Sequence, residues 1–250
     1  MNIKRNDGAV RTYSVEGPNG VECHYPSVTS LLQVIGKPAL MAWAKKMTCD
    51  WIYDNWESAK KLETMEEVGE FLKEAKRADI KVRDKAANVG TLAHGEIERY
   101  LRKQITLDQA NPAVQHILQR FIEWEVETGF VMEQAERMVY SHEYQYAGTL
   151  DISGIMTKRG NVRAIVDIKT SNGIYPEAFL QVAAYAQAVA EMDGKPVDEG
   201  WIVRLDKTGA EFETKQVPDL KACFQIFSAT YSLWRWLEDQ KPKKEVKENA

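Results

Sequence analysis

Asp151 and the triplet Asp167-Ile168-Lys169 are the residues of this chain whose types and spacing most readily do chemistry. Residues i and i+2 of a strand project from one face, so Asp167 and Lys169 stand together while Ile168 turns toward a core. An acid beside a lysine joins a hard oxygen donor to a cation able to steady developing negative charge. Leu150 and Ile152 flank Asp151 with the opposite parity, which puts its carboxylate on the polar side of its own strand. If the two strands pair, the carboxylates converge. A solvated hairpin carrying ordinary charges satisfies the same spacing, so the surrounding elements must decide.

Three successive strands are expected at 131–141, 144–155 and 161–169, joined by Ser141-His142-Glu143 and Lys158-Arg159-Gly160-Asn161. They suit an antiparallel meander. A helix follows over Pro176–Met192, with Gln181 and Tyr185 at i and i+4 on one edge. A fourth strand near 199–206 ends at Asp206-Lys207-Thr208-Gly209, a short segment covers 211–217, and a closing helix carries Leu220, Phe224, Phe227, Tyr231, Trp234 and Leu237 on one stripe. Upstream, Val89-Gly90-Thr91-Leu92-Ala93-His94-Gly95-Glu96-Ile97-Glu98 places His94 with Ile97 and Leu101 at helical spacing, so the imidazole looks inward. A histidine on an apolar face is more often a hydrogen-bonded core residue than a ligand. Gly90 lowers helix propensity and suggests a close approach.

The N-terminal part reads as a peripheral hairpin over 10–25 about Gly17-Pro18-Asn19-Gly20, then a short helix over 30–35 capped by Ser27 or Thr29. An amphipathic helix from Ala39 to Trp56 and a charged helix over 58–77 follow. Asn111-Pro112 is expected to open a packing helix that stops at Thr128-Gly129. With 250 residues and 44% apolar composition the chain can bury a large core. A net charge of −4 makes no global case for or against nucleic acid. Cys23, Cys49 and Cys223 are odd in number and far apart, which supports neither a disulfide framework nor a four-cysteine metal site and fits a reducing, intracellular setting. No apolar run approaches the roughly 20 residues that span a bilayer.

Taken in order, G-T-x-x-H-x-x-I-E at 90–98, G-T-L-D at 148–151, D-x-K-T at 167–170 and Q-x-x-x-Y at 181–185 resemble the RecB-like branch of the PD-(D/E)xK nuclease superfamily. Within it the pattern is most similar to phage-type exonucleases and the mitochondrial genome maintenance exonuclease. Pro26-Ser27-Val28-Thr29 and Lys37-Pro38-Ala39-Leu40-Met41-Ala42-Trp43 look like the same group. The resemblance implies an α/β (in some schemes α+β), restriction-endonuclease-like core with a central mixed sheet flanked by helices. The core is expected over 88–240, after a hairpin and mainly helical extension over 1–87 and before a disordered tail over 241–250.

Carried over residue by residue, the resemblance makes His94, Asp151 and Asp167 ligands of Mg2+ or Mn2+, with the Ile168 carbonyl as a further donor and Lys169 as the catalytic lysine. Glu136 would join the catalytic acids, either supporting the metal ligands from outside or serving a second metal, in competition with Glu143. Gln181, Tyr185, Thr170 and Ser171 would contact DNA or support the site. No iron-sulfur cluster is expected, because the four cysteines of other relatives are missing. Arg99, Arg102, Lys103, Lys158, Arg159 and Arg163 could meet phosphates, and Trp43, Trp51 and Tyr53 could stack on single-stranded bases, although surface and core uses suit them as well. The implied activity is a metal-dependent DNA exonuclease acting in end processing, recombination or replication on single-stranded or duplex ends, with a recombination or single-strand-annealing partner. A structure-selective or restriction-type endonuclease and a catalytically silent nucleic-acid-binding protein are the alternatives.

Overall fold

A computed structural model describes residues 3–8, 10–17, 19–206 and 211–241. Nearly all of the 241–250 tail, Pro18 of the first turn and most of the Asp206–Gly209 turn therefore lie outside the described residues. The chain divides into two compact units, Met1–Ile35 with Gln119–Ala250, and Gly36–Leu118. This division differs from the sequence boundary at 87, because the N-terminal strands pack into the same unit as the large sheet.

In the first unit, β1 (Ile3–Asn6), β2 (Thr12–Glu16) and β3 (Glu22–Pro26) form an antiparallel sheet. The hairpin is as expected, whereas β1, four residues with two cations, carries no alternating pattern to announce it. Nor is this sheet peripheral: Tyr13, Val15 and Tyr25 pack against Tyr140 and Ala147 of the main sheet. Ser27 is the N-cap of α1 (Val28–Leu31), accepting from the Ser30 N–H at 3.0 Å. This satisfies one of the donors that a helix start leaves open.

The second unit holds α2 (Pro38–Asp54), α3 (Trp56–Ala59), α4 (Met65–Lys76) and α5 (Ala78–Leu101). The expected helix over 58–77 is split, because Thr64 and Glu67 form a capping box that starts α4 afresh. Trp51 packs on Phe71 with ring centroids 4.9 Å apart, while Tyr53 is 82% exposed. The next helix, α6 (Gln115–Thr128), straddles the division and begins later than Asn111-Pro112 suggests. The Asn111 side chain accepts from the Ala113 N–H at 3.0 Å, so it closes a turn that precedes the helix.

The main sheet has the order β4-β5-β6-β7-β8, from β4 (Phe130–Ser141), β5 (Tyr146–Met156), β6 (Val162–Lys169), β7 (Glu199–Leu205) and β8 (Phe212–Gln216). The first three strands form the expected meander, and β6 pairs in parallel with β7, so the sheet is mixed. The β6-to-β7 crossover carries α7 (Pro176–Asp193), and α8 (Leu220–Asp239) closes the unit. Leu180, Val182, Ala184, Ala188 and Val189 of α7 share a core with Leu150, Ile165 and Ile202 of the sheet and Phe227 and Tyr231 of α8. Burying the Leu, Val, Ile and Phe side chains of this set stabilises by roughly 1.5–3 kcal/mol each. Among the described residues no helix is long and apolar enough to cross a membrane.

The end of α7 is tied to the sheet by charge. Arg137 of β4 donates to both oxygens of Asp193 at 3.0 and 2.6 Å, and Arg163 of β6 pairs with the same carboxylate. The hydrogen bonds from Arg137, with those from Arg163, outweigh the cost of burial and lower the Asp193 pKa from 3.8 to about 2. A depressed acid stabilises the fold above its unfolded pKa, and the gain is lost as pH falls through the folded value. Asp193→Asn is therefore expected to cost about 2 kcal/mol in urea unfolding at pH 7. The gap to the parent protein should close between pH 3.8 and about 2; a pH-independent gap would contradict the assignment.

Candidate active site

The site is built on the central strands of the first unit. Asp167 lies near the end of β6 and is 1% exposed. Its Oδ2 meets Lys169 Nζ at 2.6 Å, two residues along the same face. From α7, Gln181 Nε2 donates to Asp167 Oδ1 at 3.0 Å and to the Tyr185 hydroxyl at 3.3 Å, while Lys169 Nζ donates to Gln181 Oε1 at 3.3 Å. Gln181 and Tyr185, one helical turn apart, thus join one hydrogen-bonded cluster with Asp167 and Lys169. Burial disfavours the charge on Lys169, but the Asp167 and Asp151 carboxylates more than compensate and hold its pKa above the ordinary lysine value. Burial, reinforced by the same two carboxylates, pushes the Tyr185 phenol well up, so it stays protonated.

Asp151 approaches from β5. The β5–β6 ladder pairs Ile152 with Val166 and ends there, and beyond it the Ile168 N–H donates to Asp151 Oδ2 at 2.7 Å. This side-chain bond replaces a ladder bond and locks the two motifs together. Across β4, the pairs Ala135 with Ile152 and Arg137 with Leu150 leave Glu136 opposite Asp151. Carboxylate oxygens of the two lie within 4.8 Å. Glu136 has φ 51°, a left-handed conformation rare for a side chain of this kind in a strand. Such strain persists where the surroundings impose it and collects at functional sites. Of the two acids that the sequence left level, Glu136 is the one beside Asp151, whereas Glu143 lies in the β4–β5 turn, where its N–H donates to Glu191.

His94 is half-buried on α5 in the second unit, on the helix whose Ile97 and Leu101 are buried as the spacing implied. Thr170 and Ser171 follow β6 directly, and Ser171 Oγ donates to the Gly173 carbonyl at 2.8 Å. Five of the six cations proposed to meet phosphate are engaged within the protein. Arg99 pairs with Glu96 at 2.6 Å, Arg102 with Glu98 at 2.8 Å, Arg159 with Glu199 at 3.0 Å and Arg163 with Asp193, while Lys158 donates to the Val126 carbonyl at 2.7 Å. Lys103 adopts φ 57° just beyond α5.

Tyr13 and Arg204 escaped the sequence reading, and Gly148 was read only as part of its motif. Tyr13 of β2 shares a hydrogen bond of 2.9 Å with Thr149 of the G-T-L-D motif. Gly148 of that motif is required by contact, since a Cβ there would lie 2.4 Å from Tyr185 Cε1. Arg204, in the row Lys169, Arg204, Glu213 across β6, β7 and β8, is 4% exposed. The only signal for it was a charge interrupting the apolar run Trp201-Ile202-Val203-Arg204-Leu205.

The donors Glu136, Asp151, Asp167 and the Ile168 carbonyl are hard oxygens, which suit Mg2+ or Mn2+. The carboxylates of Glu136 and Asp151, within 4.8 Å of each other, repel, and a divalent cation between them would remove that penalty. Comparison with protein-family models returns no match, nor does comparison with curated proteins. Among solved structures, one titled "Crystal structure of SSO0001" is 18% identical with a TM-score of 0.29, covering 58% of this chain and 74% of that one. Likeness at that level identifies neither a fold family nor a reaction.

Two substitutions test the local geometry. Gly148→Ala should destabilise by about 1–3 kcal/mol through its clash with Tyr185, measured by denaturant unfolding. Glu136→Gly should hold stability or raise it by up to about 1 kcal/mol by relieving the left-handed backbone, even though it removes an acid from the site. A loss above about 1 kcal/mol would show that Glu136 serves the fold instead.

Proposed function

We propose that this chain is a divalent-metal-dependent DNA exonuclease with a restriction-endonuclease-like core. The observation that carries the reading is the hydrogen-bonded cluster of Asp151 in the middle of β5 with Asp167, the Ile168 backbone and Lys169 at the end of β6, closed by Gln181 and Tyr185 from α7. The sequence resemblance places the same residue types in the same order and adds His94 as an imidazole ligand, which shifts the preference toward manganese.

Asp151, Asp167 and the Ile168 carbonyl would hold the ion with His94, and Glu136 would sit beside them as a further acid. When bound, Mg2+ or Mn2+ supplies charge neutralisation at a phosphate and activation of water. Lys169, kept protonated by its two acidic neighbours, stabilises negative charge building on the phosphate oxygens and orients the attacking water. Gln181 fixes the Lys169 rotamer and one oxygen of Asp167, leaving the ammonium aimed without a search. The neutral Tyr185 hydroxyl accepts from Gln181 and so sets the carboxamide orientation. Thr170 and Ser171 lie next along the chain, where backbone and hydroxyl groups can meet the DNA backbone without reading sequence.

With end-labelled linear DNA and Mg2+ or Mn2+, nucleotides should be released from ends, and a chelator should abolish release. Asp167→Ala and Lys169→Ala should each lower kcat/KM by about 100-fold or more. Hydrolysis insensitive to chelator or to Asp167→Ala would contradict the reading. Cutting of closed circular DNA would move the assignment to an endonuclease, and tight DNA binding without turnover to a silent binding protein.

A further inference from the structure

We infer that Arg204 is a positioning residue that sets the Thr170–Ser171 turn for gripping the substrate backbone. The inference rests on the phosphodiesterase reading and extends it to a residue outside the metal and lysine set. Arg204 stands beside Lys169 in the parallel β6–β7 register, so both side chains leave the same face of the sheet. A buried guanidinium there needs partners, and among the described residues it has three. Its Nε donates to Glu213 Oε2 at 3.0 Å, one Nη to Glu211 Oε2 at 2.7 Å, and the other Nη to the Ser171 carbonyl at 3.4 Å.

The first two bonds answer its charge from β8 and the residue just before it. Hydrogen bonding to Glu211, with that to Glu213, overcomes the burial cost and keeps the Arg204 pKa above its usual value. The third contact adds nothing to charge balance and instead reaches across to the turn that follows Lys169. Ser171 Oγ is already turned inward to the Gly173 carbonyl, so the turn has one internal bond and one external anchor. A planar fork can hold β8 and this turn at once, which a lysine at 204 cannot do. Side chains at 170 and 171 are thereby fixed relative to Lys169, a requirement for meeting a phosphate on either side of the scissile bond.

The test compares Arg204→Gln, Arg204→Lys and Glu213→Gln with the parent by steady-state hydrolysis of linear DNA and by amide hydrogen exchange of the metal-free protein. Arg204→Gln should raise KM about tenfold, the scale of a lost charge-assisted hydrogen bond, with kcat changed less than about threefold. Exchange over 170–175 should accelerate while 176–193 stays protected. Arg204→Lys should restore part of the KM, and Glu213→Gln, which keeps the guanidinium and serves if the Arg204 variants do not fold, should show a smaller change in the same direction. Unchanged KM and exchange, or exchange that accelerates evenly over β6, β7 and α7 with KM unchanged, would overturn the inference and leave Arg204 an anchor of the fold. If the parent hydrolyses no DNA with either metal, the exonuclease reading fails by itself. Exchange at 170–175 then decides whether Arg204 positions the turn.

Discussion

A carboxylate that is 1% exposed survives ionised only where its charge is answered, and in this molecule Asp167 is answered by Lys169 and Gln181. Taking such a charge out of water costs several kcal/mol unless paired and hydrogen-bonded. The ion pair comes from the same strand and the hydrogen bond from α7, so the strand and the crossover helix must both be in place. Much of the unit serves that requirement. Gly148 lets Tyr185 lie on β5, Gly200 leaves room for Val182 where a Cβ would come within 2.5 Å, and Asp193 ties the far end of α7 to Arg137 and Arg163.

The polar cluster is therefore supported by an apolar one. Leu150, Ile165 and Ile202 face α7 and α8 in a shared core, and the small sheet braces the other motif through Tyr13 and Thr149. Glu136 stands apart from this economy. Its left-handed backbone and the nearness of its carboxylate to that of Asp151 each cost stability.

The strands, α7 and α8 were legible because period-2 and period-3.6 patterns survive wherever one face is buried. Asp151, Asp167, Lys169, Gln181 and Tyr185 were legible as a set because strand parity and an i,i+4 pair bring each motif together locally. Other features depend on partners distant in sequence. β1 exists through its pairing with β2, and the Tyr13 hydroxyl meets Thr149 across 136 residues. Strand parity left Glu136 and Glu143 level, since only the β4–β5 register shows which stands opposite Asp151. The break before α4 was available in the Thr64-x-x-Glu67 spacing, a capping box that outweighs the helical pattern on either side. The cations at 159 and 163 carried no mark of the acids at 199 and 193 that engage them.

Anomalous diffraction from a manganese-soaked crystal tests the central assignment most directly. The acids of β5 and β6 should share one manganese peak, with carboxylate oxygens of Asp151 and Asp167 about 2.1 Å from it, and the peak should vanish in an Asp151→Asn crystal. Saturating manganese that leaves these two carboxylates without a peak would contradict a metal-dependent reaction at this site.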